Sequence, residues 1–314
     1  MKFLASSLLT ATVILCEVPA IAQQVFRKPT ATSPQLAKVP PSIEVRSDVV
    51  FGKGGGRDLK MHVLLPSSNE ASKAPVYVWI HGGGWRSGNK ESGIQKVLPL
   101  VHAGFIGVTL EYRLTGEAAF PAQIHDCKCA IRFLRAHAED WGIDPDRIAV
   151  GGASAGGHLA ALVGTSSGVD ALEGEGGWPE QSSRVQAVVD LYGPTDFARF
   201  VTTEGYEHHN ADGSPESRLL GGGVVSENAE GIRRVNPITY VDPQDPPFLI
   251  LHGSDDPVVP LNQSQALHEA LQRNGVSSSL HVLPGALHGG PEFGTKPIQA
   301  MQRDFLVETL GEQE

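Results

Sequence analysis

Arg147-Ile148-Ala149-Val150-Gly151-Gly152-Ala153-Ser154-Ala155-Gly156-Gly157-His158 is the stretch on which the fold is decided. An apolar run that reads as a buried strand stops at two glycines, a serine follows, and small residues then open a helix. Gly152 to Gly156 fits G-x-S-x-G, a sharp strand-to-helix turn that leaves the serine hydroxyl exposed at the carboxyl edge of a sheet. The residues two before and two after the serine must be nearly free of side chain for the chain to fold back. A helix N-terminus behind the hydroxyl favours developing negative charge. Five residues carrying two glycines also describe an ordinary turn, so the rest of the chain must supply a base, an acid and an oxyanion site.

Outward from this turn, strand-like runs alternate with helical spacing. Val76 to Ile80 is continuously apolar, as in a strand covered on both faces. Helical spacing follows at Gln95 to Ala103, and another strand at Phe105 to Leu110. A single helix is predicted from Pro121 to Trp141, then strand Arg147 to Val150 and the elbow helix Ala155 to Val163. Val185 to Leu191, Phe248 to His252 and Leu280 to Leu283 read as strands, and Leu261 to Asn274 and Pro297 to Leu310 as helices. Such alternation implies an α/β class with a mostly parallel, doubly wound sheet. Ile43 to Val50 and Leu59 to Leu65 alternate in polarity around a glycine turn, which predicts an N-terminal antiparallel hairpin. Ser166 to Ser183 reads as a loop, and 195–236 as an irregular cap insertion above the sheet.

Three further stretches carry chemistry. His81-Gly82-Gly83-Gly84-Trp85 directly follows the strand ending at Ile80, and its glycines let backbone N–H groups approach a substrate. His252-Gly253-Ser254-Asp255-Asp256 places carboxylates just past a buried strand, with Asp255 the better candidate for a capping or solvated group. Gly285-Ala286-Leu287-His288-Gly289 places a histidine in a glycine-flanked loop after the last strand. Of the twelve histidines, His208 and His209 sit in the polar insertion and read as surface residues, while His158 lies too close to Ser154 to act as its base. The order Ser154, Asp256, His288 is the order of one known hydrolase architecture.

On these residues the chain resembles the α/β-hydrolases of the esterase/lipase group that carry an HGGG motif, which includes hormone-sensitive-lipase-like carboxylesterases. Asp144 to Gly157, His252-Gly-x-x-Asp256-x-x-Val259-Pro260 and Gly285-x-x-His288-Gly289 carry the likeness beside the HGGG run. Trp85, the early hairpin and Glu111-Tyr112-Arg113 lean towards a branch similar to feruloyl and acetylxylan esterases. The resemblance covers 43–314 as one catalytic domain. It implies Ser154 as nucleophile, His288 as base and Asp256 as the acid that orients it. It also implies Gly83, Gly84 and Ala155 as oxyanion donors. Ala153, where many lipase-like relatives carry Asp or Glu, and the short insertion both argue against long-chain lipids. Trp85, Trp178 and Phe197 are candidates for the substrate pocket, with Phe200 and Tyr206 beside them, or for packing the insertion onto the sheet.

The implied reaction is ester hydrolysis through an acyl-enzyme, with no metal or organic cofactor required. A histidine base must be neutral, so the rate is expected to fall below about pH 6–7. An arylformamidase-like or peptidase-like amide hydrolase on the same fold stays open, because His-Gly-Gly-x-Trp is shared with formamidases. A non-catalytic binding module also stays open.

Composition bounds the setting. With 35 acidic and 25 basic residues, formally −10, and no basic run, nucleic acid and anionic membrane surfaces are poor partners. Lys2, the apolar run Phe3 to Cys16 and Ala20-Ile21-Ala22 read as a signal peptide over 1–22, cleaved after Ala22. Residues 23–42 read as a linker. The expected product is an exported monomer or homodimer, secreted or periplasmic, acting on a small-molecule or polysaccharide-linked ester. Cys127 and Cys129 lie two apart on a predicted helix and so do not pair with each other.

Overall fold

Apolar runs without polar alternation need cover on both faces, and the computed structural model shows where that cover comes from. It describes residues 33–66 and 73–311, all within the compact unit Thr32–Glu314. The signal-peptide segment and the first part of the linker lie outside the described residues.

Eight strands form one sheet: β1 (Glu44–Gly54), β2 (Arg57–Leu65), β3 (Ala74–Ile80), β4 (Ile106–Leu110), β5 (Ile143–Ala153), β6 (Ala187–Leu191), β7 (Phe248–Gly253) and β8 (Ser278–Leu283). The order is β1-β2-β4-β3-β5-β6-β7-β8. β1 and β2 form the antiparallel hairpin, β2 is antiparallel to β4, and all later pairings are parallel. The helices are α1 (Ile94–Val101), α2 (Ala122–Ala136), α3 (Ala138–Trp141), α4 (Ala155–Thr165), α5 (Asp170–Glu173), α6 (Phe197–Phe200), α7 (Pro215–Leu219), α8 (Ala229–Val235), α9 (Asn262–Arg273) and α10 (Lys296–Leu310).

Strand periodicity divides the core in two. In β3, Val76, Val78 and Ile80 face the layer that holds Cys127 and Ile131 of α2, Leu159 and Leu162 of α4, and Leu267 and Leu271 of α9. Tyr77 and Trp79 face the other layer, built by Val97 and Leu98 of α1 and Leu306 and Leu310 of α10. This is the α/β-hydrolase fold. Cys127 and Cys129 are both buried and unpaired.

Four expectations need adjustment. The predicted helix over 121–141 breaks at His137, whose ring Nδ1 lies 2.9 Å from the Phe133 carbonyl and closes α2 before α3 begins. The Gly- and Glu-rich stretch after α4 contains α5, held because Glu173 takes the ammonium of Lys128 at 2.8 Å and the guanidinium of Arg132 at 3.1 Å. The insertion over 195–236 is made of short helices, with Phe197, Phe200, Leu219, Val225 and Val235 buried beneath it. The linker ends early: Leu36 and Val39 already pack on the α1/α10 layer.

The insertion is tied at both ends. Gln263 of α9 accepts the N–H groups of Thr195 and Asp196 through Oε1, at 3.0 and 2.8 Å. Asn236 Oδ1 accepts the N–H of Phe197 at 3.0 Å, so entry and exit are joined to each other. The carboxyl ends of β3, β5, β6, β7 and β8 lie on one edge of the sheet, beneath the loops that carry the candidate residues.

Candidate active site

Ser154 sits where the turn chemistry demands, between β5 and α4 with φ 56° and ψ −124°. That backbone is costly for a residue with a Cβ, and it persists because its surroundings over-determine it. The Ser154 N–H donates to the Leu191 carbonyl of β6 at 2.9 Å, and its own carbonyl accepts from His158 N–H at 3.0 Å. Gly156 is required by close approach: a Cβ there would lie 2.1 Å from the Ile80 carbonyl oxygen and 2.7 Å from that of His81. The elbow helix therefore presses directly on the loop that leaves β3.

That loop is the glycine run. A Cβ on Gly82 would lie 3.4 Å from the Ser154 Cβ, so the run passes beside the serine. Gly83 has φ 117°, and a Cβ there would lie 2.2 Å from the Ser87 carbonyl oxygen. The Gly83 carbonyl accepts from the N–H groups of Arg86 and Ser87 and from the Ser87 hydroxyl. Among the described residues neither the Gly83 nor the Gly84 N–H has a hydrogen-bond acceptor. Ala155 opens α4, where first-turn N–H groups have no intrahelical acceptor. The three N–H groups expected to serve an oxyanion are thus the ones left without a structural task.

The loop is braced from behind. The Tyr112 hydroxyl donates to the His81 carbonyl at 3.0 Å, and the two rings stack at 4.4 Å. Trp85 Nε1–H donates to His158 Nδ1 at 3.2 Å, and His158 Nε2–H donates to the Val235 carbonyl at 2.8 Å. Burial pushes His158 down to about 4, so it stays neutral and bridges the glycine loop, the elbow helix and the exit of the insertion.

The acid and base meet across two loops. His288 Nδ1 lies 2.6 Å from Asp256 Oδ2, and the Asp256 side chain is fully buried. Asp256 Oδ1 accepts the N–H groups of Val258 and Val259 at 2.8 and 2.9 Å. Burial alone would raise the carboxyl. Hydrogen bonds from His252 and His288, with the Val259 N–H, hold it instead well below the usual carboxylate range. Tyr192 links this pair to the elbow. It follows the Leu191 that binds Ser154, its ring meets the His288 ring edge-on at 4.6 Å, and its hydroxyl abuts Gly289.

The fold therefore gathers Ser154, Gly83, Gly84, Ala155, Asp256 and His288 on one sheet edge. The three pocket aromatics must be corrected. Trp85 and Phe197 are 1% and 0% exposed and pack on each other at 5.7 Å, because the indole N–H is consumed by His158. Trp178 packs against β1 and α2, donating Nε1–H to the Phe51 carbonyl at 3.1 Å and meeting Phe133 and His137 edge-on. Phe200 is also sealed in the core, whereas Tyr206 reaches the acid loop and donates its hydroxyl to the Asp256 carbonyl. His209 is buried rather than on the surface. Its Nδ1 lies 2.8 Å from Glu216 Oε2, and its ring rests on Phe200, a packing available only once the insertion folds into helices. The sequence shows no structural part in the site for His252, Tyr192 or His158. His252 opens the His252-Gly-x-x-Asp256 run without a sign of what its ring contacts, and Tyr192 and His158 only flank a strand end and the elbow.

Asp190, the β6 residue opposite Gly152, is a second buried carboxyl here. Oδ1 accepts the Gly193 N–H at 2.9 Å, while Oδ2 is buried without a partner among the described residues. Burial pushes its pKa up to about 6, so between about pH 4 and 6 the folded chain holds a proton that the unfolded chain has lost. Its contribution therefore falls as pH rises through that window, by about 3 kcal/mol in all. We expect the stability of Asp190→Asn minus that of the parent, from urea unfolding, to rise across that window. A difference that does not change with pH removes this assignment.

Comparison with known proteins places these features in a lineage. The BD-FAE family model matches residues 61–271. Esterase LipQ of Mycobacterium tuberculosis is 34% identical over 244 residues, covering 77% of this chain and 56% of that protein. The chain spans about half the length of the curated relatives it matches, 51–56% for the three mycobacterial proteins. A solved carbohydrate esterase from gut microbiota is similar with TM-score 0.77 and 30% identity, over 86% of this chain and 97% of that one. An acetyl ester-xyloside bifunctional hydrolase from Caldicellulosiruptor lactoaceticus is similar with TM-score 0.70 and 25% identity, over 84% and 96%.

Proposed function

The chain belongs to the BD-FAE family, and from that membership we propose that it is a serine carboxylic-ester hydrolase acting on short-acyl or plant-polysaccharide side-chain esters, acetyl or feruloyl. The observation that carries this reading is the strained Ser154 together with two unlike features. The glycine run passes beside its Cβ, with the Gly83 and Gly84 N–H groups unpaired among the described residues, and the hydrogen-bonded His288–Asp256 pair shares its sheet edge, linked to it through Leu191 and Tyr192. His288 Nε2 takes the Ser154 proton as Oγ attacks the ester carbonyl, and Asp256 stabilises the imidazolium through Nδ1–H. The N–H groups of Gly83, Gly84 and Ala155 hold the oxyanion. The tetrahedral intermediate collapses, the alcohol leaves with the proton from His288, and water repeats the cycle on the acyl-enzyme.

The substrate class is supported by the short insertion, which adds no large lipid-covering cap, and by the carbohydrate and acetyl-xyloside esterases among the similar structures. Parallel assay of p-nitrophenyl acetate, methyl ferulate, acetylated xylan and an N-formyl arylamine tests the reading. We expect the esters to turn over and the formamide not. Preferential turnover of the formamide would replace it with the amidase reading.

Export follows from the Lys2 to Ala22 pattern. The mature protein recovered from a secreting host should begin at Gln23. Recovery of intracellular protein that keeps Met1 would overturn this.

A further inference from the structure

His252, near the end of β7, has no part in the mechanism above, yet its ring touches the acid directly. The side chain is wholly buried. Nδ1 lies 2.7 Å from the Ser264 hydroxyl of α9, and Nε2 lies 2.9 Å from the Val259 carbonyl and 3.4 Å from Asp256 Oδ2. A carbonyl only accepts, so the Nε2 proton is fixed there, and Nδ1 is left bare to accept the Ser264 O–H. The Nε2–H is shared between the loop carbonyl and the carboxylate oxygen that also receives the His288 proton.

The acid loop is thereby gripped from two directions. Its own N–H groups at Val258 and Val259 hold Oδ1. His252 holds the Val259 carbonyl and the Oδ2 side, and is itself anchored to the core sheet and to α9. Loop residues between Gly253 and Pro260 have no strand or helix of their own, so β7 and α9 act on Asp256 through this ring.

We propose that His252 is a positioning residue, whose Nε2–H holds the Asp256 carboxylate in the orientation that receives His288 Nδ1–H. The inference rests on the Ser154–His288–Asp256 reading, which Ser154→Ala tests separately. Misplacing a catalytic group by about 1 Å costs up to about 100-fold in rate.

Two substitutions divide the imidazole into its halves. His252→Gln carries an amide N–H out to the region of Nε2, within reach of Val259 and Asp256. His252→Asn stops at the level of Nδ1 and reaches only Ser264. Both replace a buried ring by an amide and carry similar packing losses. We expect His252→Asn to lower kcat by about 10- to 100-fold with KM within about twofold, and His252→Gln to recover most of that loss. The far-downfield proton resonance of the His288–Asp256 hydrogen bond should be lost or displaced in His252→Asn and present in His252→Gln. If His252→Asn does not fold, Ser264→Ala keeps the ring but frees it to turn, and should lower kcat in the same direction by a smaller factor. Equal kcat in the two amide variants, or a parental downfield proton in His252→Asn, overturns the proposal and leaves His252 a packing residue. Parental kcat in Ser264→Ala overturns it where that variant is the test.

Discussion

Ser154→Ala lowers kcat by about 10⁴-fold or more while the thermal unfolding midpoint stays close to parental. The activity half rests on the proposed role of Ser154 Oγ as the atom that forms the acyl-enzyme. Oxyanion donors and substrate contacts survive, so a residual rate above water remains. The stability half has a local reason. Ser154 is the N-cap of α4, but its side chain makes no capping hydrogen bond, so deleting the hydroxyl removes no structural bond. Alanine meets the same backbone strain at φ 56° as serine does, because both carry a Cβ. Loss of fluorophosphonate labelling should accompany the loss of rate. Near-parental esterase rates in a folded variant would remove the serine mechanism altogether.

Asp256→Asn is expected to cost about 10⁴-fold in kcat, for a different reason. Three structural donors besides His288 converge on this carboxylate: the N–H groups of Val258 and Val259 at Oδ1, and His252 at Oδ2. An amide can keep its oxygen towards the two N–H groups only by turning its NH₂ towards His252 and His288. His288 must then present a bare Nδ1 and carry its proton on Nε2, the tautomer that cannot accept from Ser154. The same variant loses stability. A carboxyl held below its unfolded value contributes stability that is fully present above the unfolded pKa and is lost as pH falls through the folded one. At neutral pH the parent has all of that contribution and the variant has none. A lower urea midpoint at pH 7, with the gap narrowing in acid, is the expected measurement. Because Asp256 stays ionised well into acid, the acid limb of the parental rate belongs to another group.

How much of this was legible from the sequence differs by element. The parallel strands were readable because strands covered on both faces are apolar throughout, as Val76 to Ile80 and Phe248 to Leu251 are. The elbow and the glycine run were readable because close backbone approach leaves only glycine as an option, and the Cβ clash at Gly156 is with carbonyls that cannot retreat. The pairing of Asp256 with His288 was readable only as an order along the chain, and its 2.6 Å contact comes from two loops brought together by β7 and β8. The pocket aromatics misled because an indole or phenyl ring carries no sign of which way it faces. Trp85 faces inward since His158 accepts its N–H, and a buried histidine four residues after the serine could not be told from an exposed one. The insertion looked irregular because its helices are four to seven residues long, too short to show a period. The tether from Gln263 joins residues 68 apart, a separation at which side-chain pairing leaves no local pattern.

That tether has a mechanical consequence. The insertion enters through Thr195 and Asp196, bonded to Gln263, and leaves through Val235 and Asn236, bonded to His158 and Phe197. Its middle touches the acid loop at Tyr206, and Pro215 lies against Gly84. A lid needs a hinge with freedom on one side, and here one root is pinned to α9 and the other to His158 of the elbow helix. The insertion works as a staple across the catalytic edge. We therefore expect inactivation and global melting to be one event, with activity loss and circular dichroism giving the same midpoint in a thermal scan; activity lost well below the melting midpoint would show the insertion lifting by itself.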